Sequence, residues 1–148
     1  MAVIGGNGEV VRALVDAGMD IDMPRADIGI TPLCMAAAGG NVELVRVLLE
    51  ARADASRACG EEGTTPLSMA AQEGYVDVVR LLLEAGADVE AGFVGIGAAP
   101  LFVASCLGKV HVVRLLLEAA ADLNKAWARR GSTPLFEASS CGHVDVVR

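Results

Sequence analysis

The chain has almost no aromatic residues: one Trp, one Tyr and three Phe in 148 positions, or 3%. It has only two histidines, at His111 and His143. A core built around large rings is therefore excluded, and little is left for general-base catalysis or a histidine metal site. Basic residues are also short, at 12 against 19 acidic ones, for a formal charge of −7. Such a surface repels phosphate, which argues against nucleic acid and anionic membranes as partners. No basic, apolar leader opens the chain. The uncharged stretch from Ala91 to Gly108 contains Gly92, Gly95, Gly97 and Pro100, so it is not read as a membrane span. Four cysteines (Cys34, Cys59, Cys106, Cys141) without a secretory signal are expected to be free thiols in an intracellular, cytoplasmic setting.

What the chain does have is Ala, Val, Leu and 17 glycines, arranged periodically. Thr31-Pro32-Leu33, Thr65-Pro66-Leu67, Ala99-Pro100-Leu101 and Thr133-Pro134-Leu135 recur every 34 residues. Gly6, Gly40, Gly74, Gly108 and Gly142 keep the same step, as do Gly29, Gly63, Gly97 and Gly131. Arg12, Arg46, Arg80, Arg114 and Arg148 form a fourth mark at that period. The whole chain is one array. Its units are a partial one over 1–30, complete ones over 31–64, 65–98 and 99–132, and a truncated one over 133–148. Neither end carries the polar cap that solenoids use for solubility, so the expectation is a monomer or a segment of a longer array.

Each unit is readable from local chemistry. Threonine caps a helix and proline suits its first turn, where the missing N–H has no partner. The first helix is short, as over Pro66 to Glu73, and a glycine ends it. The second, as over Val76 to Ala85, is apolar over too wide a face to be wetted on one whole side, so it is sandwiched between neighbours. Gly86 follows where a helix end favours left-handed backbone. The glycine-bearing stretch from Val89 to Ala98 is an extended, turn-bearing loop.

The run Thr65-Pro66-Leu67-Ser68-Met69-Ala70-Ala71, followed by Gly74 to Val89, resembles the ankyrin repeat motif, and the resemblance covers the entire chain. It implies an all-α solenoid: antiparallel helix pairs stacked in a curved array, with β-hairpin-like loops projecting from one edge. It also implies a protein–protein interaction module, with no enzyme activity, no cofactor and no metal. Three departures stand out. The period is 34 rather than the family's usual 33. The family's histidine after Thr-Pro-Leu is replaced by Cys34, Ser68, Phe102 and Phe136. Arg52 and Ala120 stand where Gly18 and Gly86 close the other second helices.

Charges on the second helices, such as Asp77, Arg80 and Glu84, repeat unit by unit and are expected to form helix-face ion pairs. Cys141 and His143, with Cys106 one unit away, match no zinc spacing, and no base or orienting group is placed to activate a cysteine nucleophile. Asn124 resembles the asparagine of ankyrin repeats that an oxygenase can hydroxylate. Its slot holds Asp22, Ser56 and Glu90 in the other units, and a plainer role is to brace the loop backbone.

The positions that vary between units carry the functional expectation. At the tips these are Asp27, Ile28 and Ile30, then Glu61 and Glu62, then Ile96, then Arg129 and Arg130, with Phe93 and Trp127 further back. At the first-helix ends they include Gln72, Glu73 and Leu107, which the resemblance places along a concave groove. The second full tip is acidic, the third apolar and the fourth basic. Exposed aromatics and arginine favour protein interfaces. The expected function is binding of a protein partner through groove and tips. The alternative is a passive spacer segment of a larger protein.

Overall fold

A computed structural model describes residues 8–93, 95 and 97–148. Four helices open on proline: α2 (Pro32–Ala38), α4 (Pro66–Glu73), α6 (Pro100–Cys106) and α8 (Pro134–Ser140). Each is followed, after a short turn, by a second helix: α3 (Val42–Glu50), α5 (Val76–Glu84), α7 (Val110–Glu118) and α9 (Val144–Val147). The second helix of the first unit is α1 (Gly8–Asp16). First helices pack on first helices of adjacent units, and second helices on second helices. The helix pair of each unit completes a two-row stack. Among the described residues no helix is long and apolar enough to cross a membrane.

The caps form as the Thr-Pro pattern requires. Thr31, Thr65 and Thr133 accept the N–H three residues on, at Cys34, Ser68 and Phe136. Thr65 and Ser68 complete a reciprocal capping box. Ala99 has no side chain to offer, and α6 begins uncapped at a cost of about 1 kcal/mol. The second helices close on left-handed residues: Gly18 at φ +87° and Gly86 at +82°, but also Arg52 at +70° and Ala120 at +63°. The conformation is thus kept where the glycine is lost.

One apolar core runs through the stack. Leu33, Leu67 and Leu101 are buried, as are Val45, Val79 and Val113, and Leu48, Leu82 and Leu116. Alanines at 36, 70, 104 and 138 sit buried on the first helices, small enough to let neighbouring helices approach. Each buried leucine contributes about 2 kcal/mol. Leu135 and Phe136 hold the same registers in α8 and are 58% and 64% exposed.

Two expectations are corrected. The acid–arginine triplets do not pair along their own helices: among the described residues, Asp77, Arg80 and Glu84 form no ion pair. Arg12 instead reaches Glu50 on the neighbouring second helix, at 3.3 Å. Both side chains are more than half exposed, and holding long side chains together gains little in water. Nor are all four cysteines free. Cys34 and Cys59 are joined as a disulfide, leaving Cys106 and Cys141 as thiols. This pair is separated by 25 residues and runs from a first helix to the hairpin that follows. The inference from four free thiols to a reducing compartment falls with it.

Candidate functional site: the hairpin row

The loops entering the first helices share one register. Arg25 N–H donates to Ile30 O, Cys59 to Thr64, Phe93 to Ala98 and Trp127 to Ser132, all at 2.8–3.0 Å. Four residues span each tip, and the last is a glycine with left-handed backbone: Gly29, Gly63, Gly97 or Gly131, at φ +60° to +67°. The first three tips are tied main chain to main chain. Gly60 N–H donates to Gly29 O at 3.0 Å, and Gly95 N–H to Glu62 O at 2.9 Å. These three hairpins are therefore a linked edge, not a set of free loops.

The variable residues divide between surface and support. Asp27, Glu61, Glu62, Gln72, Glu73, Arg129 and Arg130 are exposed. Asp27 pairs with Arg25 at 2.8 Å, and Gln72 Nε2 donates to Glu73 Oε1 at 3.3 Å. Ile28 and Leu107 are exposed apolar side chains, at 41% and 48%. Ile30 is half-buried. Ile96 lies outside the described residues. Phe93 is turned inward at 9% exposure and packs with Ala98 and Phe102. Trp127 is half-buried, its ring centroid 5.4 Å from that of Phe102, and the Arg130 guanidinium carbon lies 5.5 Å from the Trp127 ring centroid. Phe93 is thus internal and Trp127 half so, although both were expected among the variable binding positions. Their rings hold the hairpins on the helices, and Leu107 remains on the surface.

A second row was half visible in the sequence. Asp20, Asp54, Asp88 and Asp122 each accept the N–H two residues on, at 2.9–3.0 Å, bracing their own loops. The variable slot two residues later braces the next unit. Asp22 accepts the Asp54 N–H at 3.1 and 3.2 Å, Ser56 Oγ accepts that of Asp88 at 3.0 Å, and Glu90 Oε1 accepts that of Asp122 at 2.7 Å. Lys125 adds an ion pair to Glu90 at 3.0 Å. Asn124 occupies the fourth such slot and is exposed. The signal lay in the chemistry of the slot, since Asp, Ser, Glu and Asn all carry an acceptor oxygen.

Around α8 the remaining polar groups are structural. His143 Nε2 lies 2.8 Å from Cys106 O. Its ring packs so closely on Gly108 that a Cβ there would stand 2.6 Å from Nδ1. Burial, reinforced by Glu137 and Cys141, pushes the Cys106 thiol up to about 11, so it is protonated and weakly nucleophilic at neutral pH. Among the described residues no cluster of His, Cys, Asp and Glu is suited to a metal ion.

Stacked helix pairs with linked hairpins on one edge define a repeat-built helical solenoid. A family model for ankyrin repeats, three copies, matches residues 1–92 and 94–148. The chain belongs to the ankyrin repeat family, whose members are generally protein–protein interaction modules. Among curated proteins, no sequence match was found.

Proposed function

We propose that this chain binds a protein partner along its hairpin tips and the adjoining first-helix ends. The carrying observation is the division of labour at the tips. The rings pack inward, while the side chains that differ most between units stand exposed along one row of hairpins. That row offers acid at Glu61, Glu62 and Glu73, an apolar contact at Leu107, and base at Arg129 and Arg130. A preformed edge loses little conformational freedom on binding. The opposite charges of its second and fourth tips favour a partner segment with a matching gradient and a single orientation. Charge near the rim acts mainly on association rate and specificity, so binding weakens as salt rises.

Affinity capture from a native lysate tests this. The natural chain is compared with an Arg129→Ala, Arg130→Ala variant and with a control changed at Arg80→Ala, Glu84→Ala on α5. Trp127 is left intact because it supports the fold. A protein retained by the natural chain and the control, but lost by the tip variant, is the expected result. Equal capture by all three, or none, favours a passive spacer.

A further inference from the structure

We propose that Cys34 and Cys59 form a reversible thiol–disulfide exchange site whose oxidation state sets the mobility of the linked hairpin tips. Cys34 lies in the first turn of α2, and Cys59 opens the hairpin over 59–64 by exchanging both main-chain hydrogen bonds with Thr64. The bond between them ties that hairpin to the first helix of the same unit.

Both oxidation states have a home here. The Cα atoms stand 7.1 Å apart, slightly beyond the usual span of a bridge, so two thiols also fit. Cys59 Sγ lies 3.2 Å from Thr64 O. Cys34 Sγ lies 3.9 Å from both Thr64 O and Arg57 O. Once reduced, each thiol faces a carbonyl that can accept its proton, so reduction leaves no orphaned polar group. The equivalent position to Cys34 in the next unit is Ser68, and the fold forms there without a cross-link. A first helix and its hairpin thus pack without a cross-link in that unit, and the effect of the bond falls on the hairpin. From there it spreads through the Gly60–Gly29 and Gly95–Glu62 main-chain bonds to the tips on either side.

The chemistry balances with a small disulfide, such as oxidised glutathione, as oxidant. The Cys59 thiolate attacks one sulfur of the small disulfide, forming a mixed disulfide and releasing one small thiolate. The Cys34 thiolate then attacks Cys59 Sγ, forming the protein disulfide and releasing the second small thiolate. The two protons lost by the cysteines pass to the released thiolates. Two protein thiols are oxidised as one small disulfide is reduced. Cys34 is fully buried and Cys59 is 4% exposed, so exchange proceeds through opening of the hairpin, with Cys59 emerging first.

The test uses the full chain in glutathione buffers spanning fully reduced to fully oxidised, with thiols trapped by alkylation. Peptide mass then gives the linked fraction. Amide hydrogen exchange is measured in parallel at Gly60, Thr64 and Gly95. The expected result is a 34–59 linkage that grows and reverses with the buffer, with exchange at these amides about tenfold slower in the linked form. Cys34→Ser, which copies the Ser68 position, exchanges like the reduced chain in every buffer. The proposal is overturned by a pair that never links, by one that never reduces, by a difference under threefold, or by slowing in Cys34→Ser.

Discussion

The rings of Phe102 and Trp127, 5.4 Å apart, fill the same pair of positions that Cys34 and Cys59 fill two units earlier. Both pairs are separated by 25 residues, and both fasten a first helix to the following hairpin. A covalent bond and an aromatic contact are thus alternative solutions to one packing problem. Trp127→Ala is expected to destabilise the chain by about 2 kcal/mol, less than a fully buried ring because Trp127 is half-exposed. Trp127→Phe is expected to keep more than half of that. Urea denaturation followed by far-UV circular dichroism measures both.

Ala120 holds a left-handed backbone, at φ +63°, that alanine adopts at a cost. Ala120→Gly is expected to stabilise by about 1 kcal/mol, raising the melting temperature by about 3 °C. An unchanged or lower melting temperature would contradict the strain argument.

Glu90 both accepts the Asp122 N–H and pairs with Lys125. Glu90→Ala is expected to cost about 1 kcal/mol, mostly from the lost hydrogen bond, since the half-exposed ion pair adds little. Glu90→Gln keeps an acceptor oxygen and should cost under half as much. Equal losses in urea denaturation would show that charge, not acceptance, matters there.

Cys106 is an acid whose ionised form is disfavoured by burial, with Glu137 and Cys141 adding to the effect. Its thiolate is scarce until the pH nears 11, whereas an ordinary thiol ionises at about 8.5. Its alkylation by iodoacetamide, followed by peptide mass, should be slow at pH 7.5 and still rising at pH 10. A rate that levels off by pH 9 would remove the buried-thiol assignment.

Much of the fold was legible because the chain states its rules several times over. Helices expected at Pro66 to Glu73 and Val76 to Ala85 form over Pro66–Glu73 and Val76–Glu84. Proline and glycine fix backbone locally, and a buried face must repeat at helical spacing. The site was less legible. Phe93 and Trp127 looked like surface residues because they lie on loops, and the first helices that bury them are 9 and 25 residues away in sequence: Phe102 is the ring against both. The Cys34–Cys59 bond was illegible for a similar reason, since it joins a first helix to a hairpin 25 residues on, a proximity created by the folding of the unit and not by the repeat. Asp22, Ser56 and Glu90 were recognised as one slot, but that their oxygens reach into the next unit depends on stacking, which composition does not encode.

Because Gly60 meets Gly29 and Gly95 meets Glu62 through backbone atoms alone, the alignment of those tips asks nothing of the side chains there. Acid, base or aliphatic groups can be exchanged at Glu61 or Ile28 without disturbing which loop lies beside which. The molecule separates spelling from typesetting: the line stays straight whatever letters are set in it, and new binding preferences can arise by single substitutions on an edge that keeps its form.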